Sequence, residues 1–205
     1  MKYLFYIAMV ISVCVHAEPY TPKDSDVIAV SSKKIKTDFT KAQLNKLLSE
    51  SQHVGNTESN QGILKRYLEH KVTQSDDPDI HYFYARVLQR EHQFDEAIRI
   101  LSDVTEQAPK HVNAILLKAN LLMVKGKFDE ALGQCLSLFG LASIETISTC
   151  SLDVKSQNGE LKQSYEGLQK IASSSSMSIN TRHVLAEMAY RLGYSEQALS
   201  YLSNV

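Results

Sequence analysis

Residues 94–98 read FDEAI, and 34 positions later residues 128–132 read FDEAL. The same shift of 34 places Ala85 on Ala119. Recurrence of a pattern at one fixed spacing predicts that this part of the chain is built from successive, similar structural units.

A period of 34 residues with these matched positions resembles the tetratricopeptide repeat. In that family each unit is a pair of helices, with small residues where the helices cross and large or aromatic residues around the crossing. The residues that match these packing positions are Ala85, Leu88, Phe94, Ala97, Pro109, Ala119, Leu122, Phe128, Ala131, Ala186 and Ala198. A glycine is usual at the turn inside a unit; Gly126 matches it, and His92 stands there in the first unit. The resemblance implies an all-α fold, a right-handed α-solenoid whose stacked helix pairs share one core.

Four units follow from this register, at residues 78–111, 112–144, 145–177 and 178–205. The third unit is degenerate, because Ser164 stands where the family has a small alanine and the spacing falls to 33. A run of four serines predicts a flexible loop before the fourth unit.

Two helices are predicted ahead of the repeats, in the segment 40–77. Apolar residues form one stripe in residues 40–50 and another in residues 61–72, and a polar segment with a glycine separates them. Residues 18–39 contain two prolines and no helical period, which predicts a flexible lead-in.

The first 17 residues are typical of a secretory signal peptide. Lys2 precedes an uncharged apolar run, and the small residue Ala17 ends the segment just before charged and proline-containing sequence. The run of about 12 residues is shorter than the roughly 20 that a membrane-spanning helix needs. We therefore expect cleavage after Ala17 and a periplasmic or secreted protein without stable membrane insertion. The alternative is lipidation at Cys14, although Val13 before it is larger than the residue that lipoprotein processing prefers.

Composition narrows the classes of partner. The chain has 22 Lys and Arg, 23 Asp and Glu and a net charge of −1, without any block of like charges. A nucleic-acid surface or a polybasic membrane surface would require a basic patch. We therefore expect no nucleic-acid partner.

The sequence contains no recognised catalytic motif. It lacks a nucleophile elbow, a zinc-protease helix motif and a phosphate-binding glycine loop. Its histidines never occur as a pair four residues apart, nor beside cysteine at a metal-ligand spacing. We therefore predict neither enzyme activity, nor a metal, nor a cofactor.

Two cysteines, Cys135 and Cys150, remain once the signal segment is removed. The repeat register puts Cys135 on the second helix of the second unit and Cys150 on the adjacent first helix of the third. An oxidising compartment would allow these residues to form a disulfide, which is the pairing we expect. A pair of buried thiols and a redox-active pair are the alternatives.

In the tetratricopeptide family, ligands bind in the concave groove lined by the first helix of each unit. The matching positions here, carried over by register, are Tyr82, Arg86, Gln89, Arg90, Leu116, Asn120, Met123, Asp153, His183, Glu187 and Tyr190. The same register would add Thr149 and Ser156 in the third unit. The resemblance therefore implies a groove with two arginines at one end, an apolar middle and acidic residues beyond.

The expected function is that of an exported binding module that holds a protein or peptide in this groove, in envelope assembly or secretion. The last predicted helix leaves Leu199 and Leu202 exposed, so a homo-oligomer through that helix is an alternative. A third reading is a non-catalytic subunit of an envelope enzyme complex.

Overall fold

The structure is a computed structural model that describes residues 39–50, 57–172 and 177–203. In those ranges it consists of ten α-helices without any strand, and all of them belong to one compact unit, Asp38–Val205. The helices are α1 (Lys41–Glu50), α2 (Thr57–Val72), α3 (Pro78–Arg90), α4 (Phe94–Gln107), α5 (Val112–Val124), α6 (Phe128–Leu136), α7 (Ile144–Gln157), α8 (Leu161–Ala172), α9 (Ile179–Arg191) and α10 (Ser195–Leu202). The predicted signal segment 1–17 and residues 18–38 of the predicted lead-in lie outside the described residues.

The helices pack as consecutive pairs: α1 with α2, α3 with α4, and so on to α9 with α10. The second helix of each pair also contacts the first helix of the next pair. The first helices contact one another in a row, α1 on α3, α3 on α5, α5 on α7 and α7 on α9. This stacking of pairs confirms the predicted all-α solenoid, and it leaves one surface built mainly from first helices.

Side chains cap the first helices of several pairs. Asp77, Ser143 and Ser178 each accept a hydrogen bond from a backbone N–H of the first turn of α3, α7 and α9, at 2.9, 3.1 and 3.2 Å. Helix α1 has a reciprocal cap in which the Thr40 hydroxyl accepts from the Gln43 N–H and the Gln43 side chain accepts from the Thr40 N–H. These bonds satisfy N–H groups that the helix itself leaves unpaired.

The turns inside four of the pairs share one geometry. Gly126, Gly159 and Gly193 have φ angles of 73°, 99° and 83°, and His92 has a φ of 60° at the equivalent turn between α3 and α4. The next residue's N–H closes each turn on a carbonyl five residues back, for example Gln93 on Leu88 at 2.9 Å. This Schellman arrangement requires a left-handed residue, which glycine adopts without strain and histidine does not.

Small residues lie at the two crossings that match the repeat best. Ala85 and Ala97 are buried in one apolar cluster, and Ala119 and Ala131 are buried in the next. At the α7–α8 crossing the corresponding residue is Ser164, which is also buried. The close approach of the helices thus depends on small side chains at each crossing.

Pro109 differs from the other packing positions because it is exposed. It lies in the loop after α4, beyond the helix end at Gln107. A proline lacks an N–H and cannot continue a helix, so this residue ends the unit and does not pack in the core.

The N-terminal helices form their own apolar cluster against α3. Leu44 and Leu48 of α1 and Leu64 and Leu68 of α2 pack with Phe83. Phe39, the last residue of the predicted lead-in, belongs to the fold as well, since its ring packs edge-on against Tyr67 with centroids 4.7 Å apart.

Helix α2 begins at Thr57, four residues before the predicted start at residue 61. Residues 57–60 are polar but contain neither glycine nor proline, so nothing in them interrupts a helix. In the ranges that the structure covers, no helix combines the length and the apolar character needed to cross a bilayer.

Candidate functional site

A cavity of about 420 Å³ opens between the first helices α5, α7 and α9. We call it the inner groove. Its apolar lining includes Leu116, Met123, Val154 and Val184, and its polar lining includes Asn120, Thr149, Asp153 and Asn180. Apolar walls with a few polar groups are typical of ligand-binding cavities.

One side of the inner groove is held by hydrogen bonds between α7 and α9. The buried hydroxyls of Thr149 and Thr181 are 2.9 Å apart. Glu145 accepts from the Thr181 hydroxyl at 2.6 Å and from the Ser178 N–H at 2.9 Å. The hydrogen bond from Thr181 and then that from Ser178 keep the pKa of Glu145 below its ordinary value. These bonds fix the start of α9 against α7 and thereby shape one side of the groove.

Asp153 is the acidic residue of the inner groove. Burial, and next the nearby charge of Glu187, raise the pKa of Asp153 to about 6, while Arg191 and a hydrogen bond from Gln157 oppose the rise. Arg191 is also directed elsewhere, because its guanidinium donates to the Ser156 carbonyl at 3.0 Å and to the Ser156 hydroxyl at 3.3 Å. Asp153 therefore carries a negative charge at neutral pH that the protein compensates only in part.

The two arginines of the first unit donate hydrogen bonds to α1. Arg86 donates to the Asn45 side chain at 3.3 Å, and Arg90 donates to the Leu48 carbonyl at 3.2 Å. Burial, followed by the charge of Arg86, lowers the pKa of Arg90. Both side chains thus hold α1 against α3.

Tyr82 and Gln89 lie on the same helix as these arginines. The Tyr82 ring packs against the His111 ring, with centroids 5.1 Å apart, and the Arg86 guanidinium lies 5.9 Å from the Tyr82 ring centre. Gln89 donates a hydrogen bond to Asn120 across 3.5 Å. This contact links α3 directly to the inner groove.

A second cavity, of about 580 Å³, lies on the outer side of the last helix pair. We call this surface the end face. It is lined by His183, Ala186, Glu187, Tyr190, Ser195, Ala198, Leu199 and Leu202. Tyr190 is 71% exposed and Leu199 is 68% exposed, so this face is apolar and open.

The predicted groove residues therefore fall into three groups. Leu116, Asn120, Met123 and Asp153 come together in the inner groove. The four residues of α3 form the second group, in which Arg86 and Arg90 contact α1 and Gln89 contacts Asn120 of α5. The third group, His183, Glu187 and Tyr190, lies on the end face. Gln157 donates to Glu187 at 2.9 Å and thereby links the inner groove to the end face.

Of the two further residues that the register adds, Thr149 contributes to the lining of the inner groove and Ser156 does not. Each is only 1% exposed. The Thr149 hydroxyl contacts the Thr181 hydroxyl, and the Ser156 carbonyl accepts a hydrogen bond from Arg191. Both contacts join α9 to α7.

Sequence reasoning missed Thr146, Asn180 and Val184, which line the inner groove. Asn180 follows the α9 cap, Ser178, and that capping position was the available signal in the sequence.

Cys135 on α6 and Cys150 on α7 form a disulfide in the structure, with Cα atoms 5.6 Å apart. That separation lies inside the range that an unstrained bridge requires. Cys135 is fully buried, and Cys150 contributes to the lining of the inner groove. The bridge thus fixes one wall of the groove to the preceding helix pair.

Comparison with known proteins finds the repeat in part of the chain. The family model described as Tetratricopeptide repeat matches residues 62–121 and 88–137. No curated protein matches the sequence.

Solved structures share the fold at low sequence identity. TTC0263, a tetratricopeptide-repeat protein of Thermus thermophilus, superposes with a TM-score of 0.61 at 15% identity, covering 80% of this chain and 89% of that one. A putative kinesin light chain from Podosopora anserina, with nearly identical repeats, gives 0.53 at 15% identity, with 79% and 91% covered. A MamA RS-1 double mutant gives 0.52 at 15% identity, with 80% and 90% covered. These likenesses establish the fold alone.

Proposed function

We propose that this chain, a tetratricopeptide-repeat protein, is exported and holds a segment of another polypeptide in its inner groove. The observation that carries this proposal is the open cavity between α5, α7 and α9, where four of the register-derived groove residues meet. Its volume of about 420 Å³ falls in the range of ligand-binding cavities, roughly 300 to 1,000 Å³.

The lining favours a polypeptide. Leu116 and Met123 offer apolar contact for the partner's side chains, and the flexible methionine adapts to different shapes. Asn120 offers both a donor and an acceptor to a backbone amide. Such a combination suits an extended or helical peptide whose apolar side chains alternate with polar ones.

The residues of α3 serve the groove indirectly in this proposal. Arg86 and Arg90 already hold α1, so their guanidinium groups are committed to the fold. Gln89 extends the surface beside Asn120, to which it donates a hydrogen bond.

Export is supported by two features of the sequence. Residues 1–17 have the pattern of a cleaved signal peptide, and removal of that segment leaves the two cysteines that the structure joins. We expect the mature protein to begin at Glu18. An intact mass that retains Met1, or one that carries a lipid on Cys14, would contradict this expectation.

Site-directed photo-crosslinking in the living cell tests the groove. A photoreactive amino acid at Asn120 should cross-link to a partner polypeptide, and Met123→Glu in the same protein should abolish the product. The matched control is the same photoreactive residue at Glu166, which is exposed on α8. Cross-linking from Glu166 and not from Asn120 would move the binding site to the opposite surface. Unchanged thermal unfolding is required of each variant.

A second candidate function, a self-associating solenoid, is favoured by the end face. Its exposed apolar residues lie together on one side of α9 and α10, and contiguous exposed apolar surface marks interaction sites. Sedimentation equilibrium tests this candidate: a dimer that Leu199→Glu converts to monomer would support it, and a wild-type monomer at high concentration would rule it out.

A further inference from the structure

The proposed function leaves the chemistry of the partner open, and the inference drawn here rests on that function. We infer that the inner groove selects a polypeptide segment that places a lysine or arginine side chain against Asp153, beside apolar residues that contact Leu116 and Met123. Asp153 is in this view the residue that determines specificity.

The first support is the charge of the cavity. Among the described residues that line the inner groove, Asp153 is the sole side chain that ionises, because Cys150 is in the disulfide and the others are neutral. A partially buried carboxylate with apolar neighbours is matched best by a charge-assisted hydrogen bond from a cation. An anionic or neutral segment would leave this charge further desolvated and unpaired.

The second support is that Arg191, whose charge acts on Asp153, is already bonded within the protein. Arg191 faces Asp153 from α9, but its guanidinium is bonded to both oxygens of Ser156, and it lies 3.8 Å from the Glu187 carboxylate. Glu187, also on α9, adds a second negative charge at the groove margin. On the α5 side the lining residues Leu116, Asn120 and Met123 carry no charge. A cation supplied by the partner would therefore meet the Asp153 carboxylate, and no cationic side chain belongs to the described lining.

The small number of carboxylate ligands also favours a basic side chain over a metal ion. Calcium prefers six to eight oxygen ligands and magnesium a near-octahedral set, whereas one cavity carboxylate and a margin carboxylate supply few of them. A lysine or arginine side chain needs only one or two acceptors, and its aliphatic part can pack on Met123 and Leu116.

A peptide selection tests the inference. A library of random 12-residue segments is displayed inside a loop of a carrier protein, so that no segment offers a free terminal amine. The library is selected on the purified, oxidised protein at pH 7.5. The expected result is enrichment of Lys or Arg at one position, and loss of that enrichment on Asp153→Asn. Glu166→Gln, an exposed carboxylate on α8, is the matched control and should leave the enrichment unchanged.

The affinity of one selected segment then gives a quantitative readout. Replacing its basic residue by norleucine should weaken binding to the wild-type protein roughly 10-fold or more, and binding to Asp153→Asn about threefold or less. Binding to wild type should weaken as the pH falls from 7.5 to 5.5, because the Asp153 carboxyl, with a pKa of about 6 in the free protein, takes up a proton. Asp153→Asn should show a flat profile. Both proteins carry His183→Gln, so that the histidine of α9 is absent from the comparison.

The outcomes separate the inference from the proposed function. Segments that bind in a manner dependent on Met123 but show no basic preference would overturn the inference and leave the function standing. A basic preference that persists in Asp153→Asn would overturn the role of Asp153. If Met123→Glu abolishes the binding of none of the recovered segments, or if no segment is recovered, both the inference and the proposed function are overturned.

Discussion

The second and third helix pairs of the repeat region, α5–α6 and α7–α8, differ in the residue that is buried where their two helices cross. Helices α5 and α6 cross over Ala131, a small residue that is fully buried. Helices α7 and α8 cross where Ser164 is buried, and its hydroxyl has no hydrogen-bond partner among the described residues. Helix α7 of the third pair is bonded to both neighbouring pairs. The disulfide joins it to α6, and the hydroxyl network joins it to α9.

The difference teaches where the stability of each pair originates. In α5–α6 it comes from close packing between residues that the repeat pattern specifies. In α7–α8 the pattern is weaker, and covalent and polar links to neighbouring pairs compensate. Because α7 also supplies Asp153, these links hold the residue to which we assign specificity. The predictions below act on one side of this comparison at a time, from the largest expected effect to the smallest.

Reduction of the disulfide should have the largest effect. Opening a bridge that spans 15 residues is expected to lower the free energy of unfolding by roughly 3 kcal/mol on the chain-entropy estimate. Urea unfolding with and without reductant measures the loss. Amide exchange should accelerate first in α7 to α10, while α3 and α4 stay protected.

A variant with both Cys135→Ala and Cys150→Ala is the control for the reductant, which should have no effect on it. Two free thiols titrated in the unreduced, unfolded exported protein would contradict the pairing.

Enlarging the small residue at a regular crossing should cost roughly 1 to 3 kcal/mol, because a branched side chain must enter a full core. We expect this for Ala131→Leu and for Ala97→Leu, both at fully buried positions. The control is Glu130→Leu, one residue away and exposed, which should change stability little. Equal unfolding midpoints for Ala131→Leu and Glu130→Leu would show that close packing is not what stabilises these pairs.

Sequence alone predicted the parts of the fold that depend on local repetition. The all-α solenoid is confirmed: α3 and α5 begin where the first two predicted units begin, at residues 78 and 112, and α4 and α6 begin at the two FDEA segments. These features are predictable because each is set by residues close together in the chain: a cap, a turn residue or a helix face.

The rest depends on contacts between distant residues. The engagement of Arg86 by Asn45 joins residues 41 positions apart, and no repeat pattern encodes it. The burial of Thr149 likewise depends on Thr181, across 32 positions and beyond the serine run. The candidate site was therefore predictable as a row of positions, whereas its division into inner groove, end face and α1 contacts was not.

Converting the third crossing toward the second should stabilise it. Ser164→Ala removes a buried hydroxyl without a partner in the described structure, and we expect a gain of about 1 kcal/mol in the free energy of unfolding. The matched control is Ser102→Ala on α4, where the hydroxyl donates to the Ile98 carbonyl at 2.9 Å, so no gain is expected. Urea titrations of the three proteins decide the matter. Loss of stability in Ser164→Ala would mean that the hydroxyl has an unseen partner, such as a water molecule.

The smallest expected effect concerns the turn between α3 and α4, where this helix pair departs from the three pairs that follow it. His92 adopts a φ of 60°, whereas glycine occupies the equivalent turns. A non-glycine residue in this conformation costs roughly 1 to 2 kcal/mol. Glycine removes that strain, but it makes the unfolded chain more flexible by about 0.5 to 1 kcal/mol. It also loses the edge-on contact of the His92 ring with Phe94, whose centroids are 5.6 Å apart.

The strain should outweigh the two losses, so His92→Gly should stabilise the protein by about 0.5 kcal/mol. The reciprocal variant is Gly126→Ala, at a φ of 73° and with open space around the added carbon, so that backbone strain is opposed only by the lower flexibility of the unfolded chain. It should destabilise the protein by about 1 kcal/mol. Unfolding midpoints that move in these opposite directions would attribute the effect to the left-handed turn. A loss in His92→Gly together with a loss in Gly126→Ala would instead mean that the histidine ring contributes more through Phe94 than its backbone strain costs.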